Sequence, residues 1–268
     1  MLAGAASAHK HRLELFARNI ELCRITEDLI FTDPYREAPL NRWTSPHLDA
    51  DKRIFEADSA LKVAAQARKY QFLTATQALI HGDLHTGSIM LTAHETRVID
   101  PEFAFMGPIS FDVGAVIGNL LLAYCAQEGH EAAPHARDAY RSWILDQVAA
   151  VWAGFHDRFL ALWRQASEGE AYVKSLFMSA QDEAALEAER RRFLRSLFED
   201  MLGFGGLKMI RRILGLAHVP WKASPIRRDA TRERKALRLA HTLVVQGVKF
   251  SGIAEVVEAA KRHALPLG

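Results

Sequence analysis

Two short acidic segments carry the chemistry this sequence can do. The first is Ile80-His81-Gly82-Asp83-Leu84-His85-Thr86-Gly87-Ser88, and the second is Val98-Ile99-Asp100-Pro101-Glu102-Phe103. Asp83 and Asp100 stand seventeen residues apart. Between them, Ile89-Met90-Leu91-Thr92 and Arg97-Val98-Ile99-Asp100 are short β-prone runs around Ala93-His94-Glu95-Thr96, the pattern of a small hairpin. A hairpin returns the chain to where it started, so the spacing predicts that the two aspartates meet at its open end. Two neighbouring carboxylates suit phosphoryl transfer. One orients the attacking hydroxyl and accepts its proton late, while the other holds a magnesium ion that neutralises phosphate charge. The apolar Ile80 and Val98, one before each loop, are expected to anchor the carboxylates to a core.

The elements that must position these loops read mainly as helix. Apolar residues at helical spacing predict helices over 8–22, 54–78, 111–127, 135–166, 182–202, 206–216, 231–247 and 251–263. In the last, Ile253, Val256, Val257 and Ala260 fall at i, i+3, i+4 and i+7. Within 135–166, Tyr140, Ile144, Val148, Val151, Trp152, Phe155, Phe159 and Trp163 share one face, a stripe for a core or a dimer contact. Pro34, Pro39 and Pro46 make 32–50 an irregular connection. The hairpin is the one β element the sequence declares. Residues 222–238 hold seven Lys/Arg against two Asp/Glu, the composition of a solvated basic helix face.

Composition narrows the class. A chain of 268 residues with 49% apolar and 25% charged residues can bury a sizeable core, which excludes a disordered, collagen-like or disulfide-scaffold chain. Its 34 basic and 32 acidic residues leave a formal charge of +2, which gives no sign of a nucleic-acid partner. Two cysteines, Cys23 and Cys125, are too few for a disulfide framework and read as buried thiols. The longest apolar run, Val113–Ala126, is shorter than a membrane span needs and reads as a buried helix. With no basic start followed by an apolar stretch, the expected home is the cytoplasm.

The two acidic segments together resemble the protein-kinase-like superfamily, in its small-molecule branch of aminoglycoside and choline kinases. There the loop reads His-Gly-Asp-x-His and a later Asp binds metal. The resemblance implies Asp83 as catalytic base and substrate contact, Asp100 as metal ligand, and His81 as a brace for the loop. It also implies that Asp112, in Ser110-Phe111-Asp112-Val113-Gly114, bonds the catalytic-loop backbone. Many relatives carry an Asn metal ligand five residues after the catalytic Asp, where this chain has Ser88. Glu102, two residues after Asp100, offers a replacement, because magnesium prefers carboxylate oxygens. The octapeptide with Asp-Pro-Glu-Phe-Ala-Phe is similar to the methylthioribose kinase family. So are Cys23–Leu29 with Phe31–Tyr35, Gly118–Leu121, and Met209–His218 with its paired Arg211 and Arg212.

That likeness implies transfer of the ATP γ-phosphoryl group to the 1-hydroxyl of S-methyl-5-thioribose. Asp100 and Glu102 would hold Mg²⁺ at the nucleotide, Arg211 and Arg212 would face the sugar, and the enzyme would be a homodimer. Forked guanidinium donors suit sugar hydroxyls and charge on a transferring group. Kinases of this superfamily have two lobes, the first a β-sheet with a glycine-rich loop over the phosphates. Residues before Asp83 show no such pattern, so the expected fold is mainly α. The whole chain, 1–268, is expected to form the C-terminal lobe of a protein-kinase-like fold, without the ATP-clamping β lobe and with little turnover alone. Competing expectations are another small-alcohol kinase, acting on choline, homoserine or an aminoglycoside, and a non-catalytic relic that only binds.

Overall fold

The structure is a computed structural model that describes residues 19–166, 171–216 and 230–264. It is mainly helical. In chain order the elements are α1 (Ile20–Phe31), α2 (Asp49–Ala57), α3 (Ser59–Thr74), β1 (Ala78–Ile80), β2 (Ile89–Leu91), β3 (Thr96–Val98) and β4 (Phe105–Gly107). They continue with α4 (Ser110–Ala126), α5 (Asp138–Gln165), α6 (Ala180–Leu214), α7 (Ala230–Gln246) and α8 (Ile253–Ala264).

Helix α4 is the centre. It is buried against α6, α5 and α7, and Phe111, Ala115, Ile117 and Leu121 are at most 1% exposed. Helix and following turn together, Ser110–His130, run 21 residues, longer than the expected apolar run. By length and composition alone that segment matches a membrane span, but two-thirds of its apolar window is buried inside the fold, as in a core helix. The α4–α6 crossing is close because glycines face each other. A Cβ added to Gly118 would lie 2.6 Å from the Gly205 carbonyl oxygen, and one added to Gly205 would lie 2.8 Å from that of Gly114.

This crossing explains one correction. The helices expected over 182–202 and 206–216 are one helix, α6, of 35 residues. Gly203, Gly205 and Gly206 each weaken an isolated helix, but here Gly203 makes room for Arg68 of α3 while Gly205 and Gly206 let α6 approach α4 and α7, and burial overrides propensity. A capping box at Ser179 and Asp182 starts the helix.

The helix expected over 54–78 is a second correction. It divides into α2 and α3, followed by β1. Asp58 is extended (φ −76°, ψ 101°), and its side chain accepts a hydrogen bond from the Leu61 N–H, so it caps α3 and ends α2. Residues Ala78–Ile80 leave the helix to pair antiparallel with Phe105–Gly107, Ile80 opposite Phe105. A three-residue strand has no room for an alternating pattern, so only its partner reveals it.

The expected hairpin is present as β2 and β3, with Ile89 opposite Val98 and Leu91 opposite Thr96. It is nested inside the β1–β4 pair. Of the two expected anchors, Ile80 and Val98, the structure buries Ile80 alone. Against β4 lies an aromatic cluster: Phe72 packs on Phe105 (centroids 4.8 Å apart) and on Phe111 (5.1 Å), and Phe111 packs on Phe204 (5.3 Å). The α5 stripe is core where Ile144, Val148 and Trp152 are buried, and Phe159 and Trp163 pack on Phe193 of α6. Tyr140 leaves that face and stacks on Trp143, both about half exposed. Of the helix expected over 8–22, residues before 19 lie outside the described residues, and Ile20–Leu22 begin α1. The basic run 222–238 is described only from residue 230.

Candidate active site

The Asp83 loop is fixed from below. β1 ends at the buried Ile80, and the next two backbone N–H groups, of His81 and Gly82, donate to Asp112 Oδ2 (2.6 Å) and Oδ1 (3.1 Å). Asp112 lies in the first turn of α4, where a carboxylate is favoured by the helix dipole. Burial pushes its carboxyl up, against these hydrogen bonds and the nearby Lys208. Gly82 takes φ +83°, and a Cβ there would land on the Phe103 carbonyl, so the turn demands glycine.

The same loop is stitched to the second acidic segment. His81 Nε2 donates to the Ile99 carbonyl at 2.9 Å, and the Ile99 N–H donates to the Ser88 carbonyl at 3.0 Å. These bonds bring the segment bearing Asp83 against the strand end bearing Asp100. Asp100 itself adopts the left-handed conformation (φ 65°, ψ 52°), which aspartate tolerates better than most residues. The Asn19 amide donates to the carbonyls of Glu102 (2.8 Å) and Ala104 (3.0 Å), so α1 buttons down the turn that follows.

Around Asp83 the side chains are cationic. Lys208 Nζ donates to Asp83 Oδ1 at 2.8 Å. Burial by itself would raise Asp83, but the Lys208 ammonium, with its hydrogen bond, and Arg211 outweigh it and hold the carboxyl below its ordinary value. His85 Nδ1 accepts from the Gly87 N–H at 3.0 Å, which leaves the ring proton on Nε2, 3.8 Å from Asp83 Oδ2. That separation is too long for a hydrogen bond. Burial, with help from Arg212 and Lys208, lowers His85 and favours its neutral form. Ser88 is 3% exposed with its hydroxyl 3.5 Å from His85 Nδ1, so its oxygen is directed into the loop.

Arg211 and Arg212 occupy the last turn of α6. Adjacent helical residues diverge by about 100°, and a helix end is where both can still border one cleft. The charge of Arg211 acts on Asp83 and that of Arg212 on His85. Burial, then the Arg212 charge, lowers Arg211, and its buried Nε has no hydrogen-bond partner among the described residues.

Lys208 is the site residue that sequence reasoning missed. A signal was present: it is the one cation in the otherwise apolar run Met201–Ile210, and it precedes Arg211 by three residues and Arg212 by four, one turn of the same helix.

Asp100 and Glu102 are exposed, and neither carboxylate has a partner among the described residues. The described residues contain no cluster of three or more His, Cys, Asp or Glu fit to cage a metal. Two open, hard carboxylates do suit Mg²⁺, which takes one or two from protein and the rest from water and phosphate.

Comparison with known proteins agrees with this architecture. Residues 2–155 match the phosphotransferase enzyme family (APH), and the chain belongs to that family. More particularly, it is similar to methylthioribose kinase 1 of Oryza sativa subsp. japonica, 42% identical over 261 residues, covering 96% of this chain and 60% of the relative. It is similar to the methylthioribose kinase of Escherichia coli O45:K1 (45% over 249 residues, 92% and 59%) and to that of Yersinia enterocolitica (37% over 248 residues, 91% and 58%). The chain spans about three-fifths of the length of these curated relatives. The family match ends before α6, whereas the similarity to the rice protein extends across Lys208, Arg211 and Arg212.

Proposed function

We propose that this chain is the helical lobe of an ATP-dependent kinase that phosphorylates the 1-hydroxyl of S-methyl-5-thioribose in methionine salvage. The observation that carries it is a single ionised carboxylate, Asp83, held in a braced loop beside three cations of one helix turn, Lys208, Arg211 and Arg212. The similarity to methylthioribose kinases directs the choice of sugar.

In this reading the acceptor O–H donates to Asp83 Oδ2. As the new O–P bond forms and the bond to the departing ADP breaks, the proton passes to Asp83. An anomeric hydroxyl is more acidic than a simple alcohol, so a carboxylate held below its usual range remains an adequate late acceptor, and its larger task is orientation. Arg211 and Arg212 hold sugar hydroxyls and stabilise charge on the transferring group. Asp100 and Glu102 are the residues that would hold Mg²⁺, whose chemistry is neutralisation of phosphate charge. His81 and Asp112 keep the loop in place. The setting is the reducing cytoplasm, to which the two free cysteines are suited, burial pushing the Cys125 thiol up to about 12. A homodimer is part of the same reading.

The test is phosphoryl transfer from γ-labelled ATP to methylthioribose, choline, homoserine and an aminoglycoside, with products followed by ³¹P NMR. A sugar 1-phosphate with methylthioribose alone supports the proposal. Product with choline or an antibiotic, and none with methylthioribose, overturns it.

A further inference from the structure

Lys208 is 4% exposed, and its ammonium stands between the apolar core and the site, 2.8 Å from Asp83 Oδ1 and 4.8 Å from the centroid of the Phe111 ring. Burying an ammonium costs heavily unless a counter-charge compensates. Here the Asp83 carboxylate in contact, the more remote Asp112 and one aromatic face do so, and Asp83 lies 125 residues away in sequence, on the loop the cation supports. The consequence falls on Asp83. Its Oδ1 is occupied, while its Oδ2 makes no hydrogen bond among the described residues, with His85 Nε2 at 3.8 Å. A carboxylate pinned at one oxygen has lost the freedom of its terminal torsion, so the direction of the other oxygen is set.

We propose that Lys208 is a positioning residue for phosphoryl transfer: it clamps Asp83 through Oδ1 so that Oδ2 alone, charged and fixed in direction, meets the acceptor hydroxyl. This rests on the kinase reading above and deepens it. The charged groups with the largest influence on the pair come from α6, the Asp83 loop and α4. Lys208 and Arg211 face Asp83 from α6, and His85 faces it from its own loop. Asp112 acts on Lys208 from α4, and Arg211 acts on it from its own helix. Burial lowers Lys208 more than Asp83 and Asp112 raise it, with Arg211 also lowering it, yet the contact at 2.8 Å is that of an ion pair. Remove Lys208, and burial, the largest single influence on Asp83, loses its strongest opponent, leaving Arg211 and His85 as the main ones. The carboxyl then protonates nearer neutrality, and a protonated Asp83 can neither orient nor deprotonate the hydroxyl.

A structural staple would cost stability alone, so the test uses readouts that a staple does not move. In the 268-residue chain labelled at aspartate Cγ, the Asp83 resonance is assigned by its absence in Asp83→Asn. It is expected to stay ionised down to about pH 4, the ordinary carboxylate value. Titration at or above that value in the unaltered chain overturns the clamp and needs no variant to fold. In Lys208→Met the same resonance is expected to titrate at higher pH, and an unmoved midpoint also overturns the proposal. In the phosphotransfer assay Lys208→Met is expected to lower kcat about 100-fold, the low end for a positioned proton acceptor. KM for ATP stays unchanged, the acid limb of the rate profile moves to higher pH, and Lys208→Arg recovers part of the loss. A uniform loss with an unmoved acid limb overturns it. If the unaltered chain phosphorylates choline or an aminoglycoside and not methylthioribose, the methylthioribose reading fails, and the carboxyl titration still decides the clamp.

Discussion

Asp112 shows how much of a site can hang on one side chain that need not touch substrate. Its two oxygens satisfy two successive backbone N–H groups at the start of the Asp83 loop, the Gly82 bond buried and the His81 bond partly so. Asp112→Ala removes both acceptors and leaves the donors stranded, a loss of about 1–3 kcal/mol per buried group. Urea unfolding of the variant is expected to show a drop of that size, together with faster amide hydrogen exchange at His81 and Gly82. Asp112→Asn keeps one acceptor oxygen and should fall between. Unchanged exchange at both amides in Asp112→Ala would show that the loop is held by other contacts. At the same scale, Asp100→Asn and Glu102→Gln remove charge from an exposed turn that no described ion pair depends on. The variants should keep the stability of the parent chain within about 0.5 kcal/mol while losing Mg²⁺-dependent phosphotransfer. A large loss of stability instead would assign these carboxylates to the fold.

Among the elements, α4 and α6 decide where the chemistry sits. Their glycine-to-glycine crossing sets the depth at which Lys208, one turn beyond Gly205, reaches Phe111 and Asp83. Gly205→Ala would place a methyl group 2.8 Å from the Gly114 carbonyl oxygen, where backbone must move. Overpacking of this kind costs about 1–3 kcal/mol or more, and the displaced α6 should also lower activity. Gly154, exposed in the middle of α5, is the internal control, because a methyl group added there would meet nothing within 4 Å. Gly154→Ala is expected to stabilise by about 0.5–1 kcal/mol, because alanine suits a helix interior better than glycine. Thermal melts of the two variants should move in opposite directions, and a harmless Gly205→Ala would refute the close crossing. The same elements mark what the sequence could reveal. The nested loops were legible because Asp83, Asp100 and the hairpin between them are contiguous in sequence, and local spacing is what a sequence displays. The continuity of α6 was hidden because glycine propensity argues for a break, whereas the reason against one lies on another helix. The β1–β4 pair and Lys208 were hidden for the same cause: their partners, Phe105–Gly107 and Asp83, are 27 and 125 residues distant.

For the molecule as a whole, the near-neutral charge and the exposed apolar residues belong together. Four large apolar side chains, Met90, Leu91, Val98 and Ile99, are 43–72% exposed on or beside the hairpin strands, and a two-stranded hairpin leaves unpaired strand edges next to them. A formal charge of only +2 gives little repulsion between copies to oppose contact through that surface. Soluble surfaces seldom gather so many large apolar groups around one small element, and such patches promote association. The 268-residue chain is therefore expected to self-associate as its concentration rises, more strongly in sulfate, which strengthens apolar burial, than in chloride. Sedimentation velocity across a concentration series measures this directly. Met90→Thr with Leu91→Lys places polar groups on both faces of β2 without touching the hydrogen bonds that brace Asp83, so the variant should remain monomeric over a wider range with its circular dichroism unchanged. A parent chain that stays monomeric throughout, or a variant that associates as readily, would remove the hairpin surface from the explanation and leave association, if present, to the half-exposed Tyr140 and Trp143 of α5.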